Sequence, residues 1–343
     1  MKRLCLAAAC ALLCLHPRAA ATEVRIGVLG LFHPKQVIVT PIAGKPLECA
    51  SGQSRWTLER PLRSVFQQPG VMRVSQATQL LDNPLRCELV RGYGEFSITV
   101  PGKLTRRYIG NLELTATYSE LEVIVTMDLE TAVASVVAAE SLPGALLEAL
   151  KAQAVAARSF LIAGKDRHKD FDFCDTTHCQ FLREPPAPES PAYQAALQTR
   201  GLVLAYQDSA FPAMYSSSCG GKTHSLEELG LPVRGYPYYS VPCDYCRRHP
   251  QKWATVIAQH DALNLNNTER LRLNLARKLG WKTVPSNSYS SQREGDFVVL
   301  EGVGVGHGIG LCQRGAADMA RDGNSFQQIL TQYYPNTTLK QLP

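Results

Sequence analysis

The run VVAAESLPGALLEALKAQAVAARSF, residues 136–160, constrains the fold more than any other stretch of this chain. Leu147, Leu150, Ala154, Ala157 and Leu161 recur at steps of three and four, which predicts a helix with one buried stripe. Pro143 and Gly144 lie before it, so Glu140 is expected on the approach to that helix, at the end of an apolar run. Lys151 and Arg158 fall on a different stripe, two turns or about 10 Å apart. Taken alone, that stripe is a solvated face. Beside a polar, oxygen-rich ligand it is a pair of donors. A carboxyl in a half-apolar setting tends to stay protonated near neutral pH and can give a proton to a departing oxygen. The plainer alternative for Glu140 is a carboxylate that satisfies backbone donors at a helix start.

The chain opens like an exported protein. Within residues 1–21, Lys2 and Arg3 give a basic start, an apolar stretch too short to span a bilayer follows, and Ala19, Ala20 and Ala21 supply a small-residue cleavage site. No later stretch reads as a transmembrane segment, so the expected location is the periplasm or cell envelope. Removing the leader cations Lys2, Arg3 and Arg18 lowers the formal charge from +6 to about +3. That mild excess suits an acidic polymer such as cell wall and is too weak to argue for nucleic acid. Of eleven cysteines, Cys5, Cys10 and Cys14 leave with the leader. Cys49 and Cys87 stand alone in the N-terminal part and are expected to pair. Connectivity among the other six stays open.

Residues 22–104 carry short β-like segments such as EVRIGVLG, QVIVTPIAG and GEFSITVPG, and predict a small mostly-β module without a chemical motif. Further strands follow from Arg107, with a turn near Ser119 and Glu120. After the helical run come a proline-rich connector over residues 184–191, a short helix near 192–199 and a strand at 202–206. One or two helices are predicted over 251–280, a strand at 297–300, and a closing helix that presents Phe326, Ile329, Leu330 and Tyr333. The class expected is α+β: a β-rich core with a catalytic helix packed across it. The cleft is expected between Glu140, the 215–223 loop and the His307 segment.

Four further groupings carry possible chemistry. His168, Cys174, His178 and Cys179 form a set that tetrahedral zinc accepts, with no position left for water, so a structural metal is expected; a Cys174–Cys179 disulfide is the alternative. Cys243 and Cys246, with His249 nearby, make one CxxC that fits a redox pair, half of a metal site or a disulfide; the flanking Pro242 and Pro250 argue against the redox pair, and a structural bridge is expected. The loop Tyr215, Ser216, Ser217, Ser218, Cys219, Gly220, Gly221, Lys222, Thr223 can offer hydroxyls and backbone amides to sugars, or be simply a turn. From Gly302 to Gly310 glycine occupies every second position, which in a strand bares one face and puts Val303, Val305, His307 and Ile309 on the other. A lone histidine there is more often packed than catalytic.

RRYIGNLEL, the 136–160 run, FDFCDTTHCQF, YSSSCGGKT and GHGIGLCQRGAADMARDG with the closing ILTQYYP occur in an order that resembles the sporulation stage II protein D/LytB family. The resemblance covers roughly residues 105–343 and leaves 22–104 unassigned. It implies a lytic transglycosylase that cuts MurNAc-β-1,4-GlcNAc bonds in peptide-stripped peptidoglycan and leaves 1,6-anhydro ends. Glu140 aligns with the family's catalytic acid/base. Lys151 and Arg158 match its basic positions, and Tyr215, Ser217, Gly220, Gly221, Thr223, His307 and Gln313 fall in segments expected to meet the glycan. The His/Cys set resembles a zinc site of some members, and a cell-wall amidase is the implied partner. Some relatives are amidase enhancers, so a non-catalytic wall-binding accessory is the alternative. Two departures stand out: Glu-Met-Pro of the family is Glu140-Ser141-Leu142-Pro143 here, and Tyr-His-Ser is Tyr215-Ser216-Ser217.

Overall fold

A computed structural model describes residues 22–75, 80–81, 84–89, 92–165, 167–233, 235–262 and 267–343; the export leader read over 1–21 lies outside the described residues. Its body is a curled, largely antiparallel sheet of eleven strands. The central path runs from Phe173–Cys174 through Glu23–Val28, Leu121–Asp128, Leu104–Ala116 and Gly94–Val100 to Gln36–Pro41, Leu62–Gln68 and Val71–Val74. Period-2 alternation produces this. In Leu104–Ala116 the residues Tyr108, Leu112, Leu114 and Ala116 face the core while their neighbours face out.

Residue 104, where composition suggests a boundary, opens that thirteen-residue strand inside the sheet. One end pairs with Gly94–Val100, and the other with Leu121–Asp128 and Leu85–Glu88. One core then continues from Val24 to Ala196. The expected N-terminal module and the unit after it therefore share a sheet and a core. Alternation names strands but not their partners, so the sequence could not show this. Cys49 and Cys87 sit directly opposite one another on paired strands and form the expected disulfide.

The helices among the described residues are α1 (Leu129–Glu140), α2 (Leu147–Ala163), α3 (Pro191–Gln198), α4 (Asp244–Arg248), α5 (Thr268–Leu279), α6 (Gln313–Arg321) and α7 (Phe326–Tyr333). The apolar run before Glu140 is itself helical. Asp128 caps α1 by accepting from the Glu130 and Thr131 amides, each at 3.1 Å, and Glu140 is the last residue. Glu140 thus precedes α2 as expected, and it is also the C-terminal residue of a helix that was not foreseen.

The cation face expected on α2 is not exposed. Leu150, Ala154, Ala157 and Leu161 join the sheet core, while Ala149, Ala152, Val155 and Ala156 join a second core with residues of α6 and α7. Its small alanines let both layers approach closely, so α2 is a central helix rather than a surface one. A third, smaller core lies between α5 and a three-stranded sheet of Lys252–Ala258, Phe297–Val303 and Tyr289–Glu294. Helix was predicted across 251–280, but only its second half is helical. KWATVIA alternates and pairs along its whole length with Phe297–Val303. The fold is α+β with a β-rich core, and no described helix is long and apolar enough to cross a membrane.

The glycine ribbon is not the regular strand its alternation predicts. Gly304, Gly306, Gly308 and Gly310 have φ of 88°, 97°, 64° and 70°, a region open mainly to glycine. A Cβ at Gly310 would lie 1.9 Å from the Met214 carbonyl oxygen. The glycines let the chain bend repeatedly against the 214–220 segment.

Candidate functional site

Three distant segments converge on Glu140. Its Oε1 accepts the Phe181 amide at 2.6 Å, its Oε2 accepts the Tyr215 hydroxyl, and its backbone carbonyl accepts Gln313 Nε2 at 2.7 Å. Tyr215 is placed by a short parallel pairing of Tyr215–Ser216 with Leu311–Cys312, which also positions Gln313 as the next residue. Burial raises the Glu140 pKa above the usual carboxylate value, and the bonds from Tyr215 and Phe181 only partly oppose it. The location adds to this, since the C-terminal end of a helix carries partial negative charge. Burial, then the Glu140 charge, holds the Tyr215 hydroxyl well above its usual pKa, so it stays a neutral donor.

Sequence reasoning missed Phe181, whose contribution is a backbone amide without a side-chain signature. It also missed Gln153. That side chain, 3 % exposed on α2, lies beside the Tyr215 hydroxyl with its Nε2 unpartnered. A buried glutamine in the run ALKAQAVAA was the available signal. Gln153, Leu142, Ala149, Leu311 and Gln313 bound a small cavity beside the acid.

His307 joins this group through the backbone. Its Nδ1 accepts the Ile309 amide at 3.0 Å, its carbonyl accepts Asn287 Nδ2 at 2.8 Å, and its ring meets the Tyr215 carbonyl. Burial lowers its pKa to about 4, so the ring is neutral at pH 7. Gln313, expected to meet glycan, holds the Glu140 backbone instead.

Other expected contacts have internal partners. Arg158 is fully buried, and its five N–H groups are taken up: bonds run to both Glu130 oxygens at 3.0 and 2.6 Å, to the Leu202 and Ala196 carbonyls at 3.0 and 3.1 Å, and more loosely to Thr199. It ties α1, α2 and α3 together and offers nothing to a substrate. Lys151 pairs with Glu148 at 2.7 Å, its ammonium 6.0 Å from the Phe326 ring centroid, and so fastens α2 to α7. Thr223, 1 % exposed, donates to the Tyr239 carbonyl and accepts the Val241 amide. Gly220 and Gly221 turn the loop with positive φ. Ser217 remains half-exposed on it.

The large cleft, about 970 Å³, is displaced from the expected place. Gly220, Lys222, Trp253, Tyr289 and Gly302 line it, and Glu140 does not. It lies at the far end of the 215–220 loop, at most about 13 Å of extended chain beyond Ser216.

His168, Cys174, His178 and Cys179 bring one ligand atom each within 4.8 Å of the others, an arrangement that can hold a metal. His168 Nε2 is 3.3 Å from Cys179 Sγ, and His178 Nδ1 is 3.7 and 3.5 Å from the Cys174 and Cys179 sulfurs. These are the edges of a tetrahedron whose centre-to-ligand distances are about 2.0–2.3 Å, as in zinc sites. Both cysteines are free thiols. Cys243 and Cys246, expected to be bridged, are free as well and meet Cys219 and Cys312 in a separate buried group.

Residues 117–206 match the family described as SpoIID, Stage II sporulation protein. The stretch contains α1, α2, α3, Glu140 and the His/Cys set. An uncharacterized protein of Brachyspira hyodysenteriae is 27 % identical over 262 residues, covering 66 % of this chain and 70 % of that one. Stage II sporulation protein D of Bacillus subtilis is 25 % identical over 260 residues, covering 62 % and 74 %. The amidase enhancer of Bacillus subtilis is 24 % identical over 272 residues, covering 56 % of this chain and 38 % of that longer protein. Over residues 117–206, and in relatives 24–27 % identical to it, the chain is similar to the SpoIID/LytB family.

Proposed function

We propose that this protein is an exported peptidoglycan lytic transglycosylase acting on peptide-stripped glycan strands. The observation that carries the reading is one carboxyl, raised in pKa by burial and held in place by a tyrosine hydroxyl and a backbone amide. Glycosidases that use water need a second carboxyl to activate it or to attack the sugar. A muramoyl residue carries its own nucleophile, the 6-hydroxyl, so one acid/base suffices.

Protonated Glu140 gives its proton to the glycosidic oxygen as the C1–O bond breaks, releasing the N-acetylglucosamine hydroxyl. The carboxylate then takes the 6-hydroxyl proton as that oxygen bonds to C1 and closes the 1,6-anhydro ring. The Tyr215 hydroxyl stabilises the carboxylate between the two steps. Gln313 fixes the end of α1, and the glycan lies along Ser217 and Gly220 toward the cleft at Trp253 and Tyr289. His168, Cys174, His178 and Cys179 are the residues that would hold a structural zinc ion, and four protein ligands there would clamp the loop that supplies the Phe181 amide.

The test is mass spectrometry of denuded glycan strands after incubation with the purified protein. Anhydromuramoyl ends are expected from the wild type and none from Glu140→Gln, with strand binding retained by both. The likeness to the amidase enhancer supports a second reading, a wall-binding accessory to an amidase that removes stem peptides. Uncut strands that nevertheless bind the wild type, together with faster hydrolysis by an added amidase, would establish that reading instead.

A further inference from the structure

We propose that Cys219, Cys243, Cys246 and Cys312 bind a single zinc ion through four thiolates, a second metal site behind the Glu140 pocket. The four sulfurs lie within 4.8 Å of one another, with Cys246 and Cys312 Sγ 3.6 Å apart. A zinc ion with Zn–S bonds of about 2.3 Å needs sulfur–sulfur edges of about 3.8 Å. An iron–sulfur cluster would set its own sulfides between the cysteines and spread them further apart. The cysteines are at most 3 % exposed, so the site is closed to solvent and to a fifth ligand.

The chain around the sulfurs is built for this use. Cys243 and Cys246 have the C-x2-C spacing of zinc knuckles and open α4. The Cys219 amide donates to Cys312 Sγ at 3.4 Å, and the Ser218 and Tyr333 hydroxyls stand 3.5 Å from Cys246 and Cys243 Sγ. Such outer donors spread the negative charge of a tetrathiolate. Gly220 and Gly221, both at positive φ, turn the loop after the first ligand, and the Gly221 carbonyl accepts the Cys243 amide at 2.9 Å. At Gly315 a Cβ would come within 2.6 Å of Cys243 Sγ, so glycine is needed where α6 crosses the site.

The placement gives the metal a purpose. Cys219 ends the loop that begins at Tyr215, and Cys312 adjoins Gln313 on the paired strand. A shared ion would lock the donor to the Glu140 carboxyl and the donor to the Glu140 carbonyl into one rigid unit, with α4 as the third anchor. Metal binding here does not depend on the reaction proposed for Glu140, and the test reads metal rather than glycan cleavage.

Elemental analysis of the full chain carrying Cys174→Ser and Cys179→Ser isolates this site from the His/Cys set. One zinc ion per chain is expected to remain, and cobalt exchanged into it should show the thiolate-to-cobalt charge-transfer absorption of four sulfurs. In the otherwise unaltered chain, Cys243→Ser with Cys246→Ser should remove one metal equivalent, and Cys219→Ser serves the same purpose if that double variant does not fold. Absence of metal from the Cys174→Ser/Cys179→Ser protein would overturn the proposal. So would bound iron in place of zinc, or peptide mapping that pairs these four cysteines as two disulfides.

Discussion

The carboxyl of Glu140 is pulled in two directions. Burial favours its protonated form, while the Tyr215 hydroxyl and the Phe181 amide favour the carboxylate. Removing the tyrosine hydroxyl deletes one of the opposing bonds, so Tyr215→Phe should raise the Glu140 pKa further. If Glu140 must be protonated to start the reaction, the falling limb of the pH–rate profile moves to higher pH in that variant. An unmoved limb, with only a lower maximum, would mean that the hydroxyl does not tune the acid. The same shift has a stability consequence. The folded state holds the Glu140 proton more tightly than the unfolded state, so stability contributed by this group is lost as pH rises from 4.5 through the folded pKa. Glu140→Gln is therefore expected to be as stable as the wild type below that window and more stable at neutral pH, by denaturant titration at both. This would be a site kept at a cost to stability.

At the scale of elements, α1 and α2 are joined by an ion pair that sequence periodicity assigned to solvent. Arg158 lies on a different stripe from the leucines, where charge normally means exposure. It is buried because α3 and the strand Leu202–Tyr206 cover that side of α2 and supply carbonyls for the guanidinium. Arg158→Ala leaves the mostly buried Glu130, 16 % exposed, without its cation and the Ala196 carbonyl of α3 without its donor, and should lower unfolding free energy by about 3–5 kcal/mol in denaturant titration. A loss below about 1 kcal/mol would point to an exposed pair instead. The glycine ribbon shows the same limit in another form. Its period of two looked like a strand, yet the glycines are there for positive φ and close backbone approach, information that a one-dimensional pattern does not carry.

At the scale of the whole molecule, residues on both sides of position 104 share one sheet and core, so damage to the N-terminal part should reach the part that carries Glu140. The Cys49–Cys87 bridge closes a loop of 38 residues in that sheet. Replacing both cysteines with serine should cost about 2–5 kcal/mol. Because the core is common, a single cooperative transition at lower denaturant is expected, followed both by far-ultraviolet circular dichroism and by the combined fluorescence of Trp56, Trp253 and Trp281. Two separated transitions would show that the parts fold independently.

Local chemistry made much of this protein legible. The strands Glu23–Val28, Gln36–Pro41, Gly94–Val100, Leu104–Ala116 and Leu121–Asp128, the helices α2, α3 and α7, the Cys49–Cys87 pair and the His/Cys set follow from alternation, three-and-four spacing, cap residues and ligand types, all properties of neighbouring positions. What touches Glu140 was decided elsewhere: Tyr215 arrives from 75 residues away and Gln313 from 173. The burial of Arg158, the grouping of Cys219 and Cys312 with the CxxC, and the separation of the large cleft from the acid were likewise settled by packing. Each depends on which surfaces meet when separate cores close over α2, and a linear pattern records the faces of an element but not what comes to lie against them.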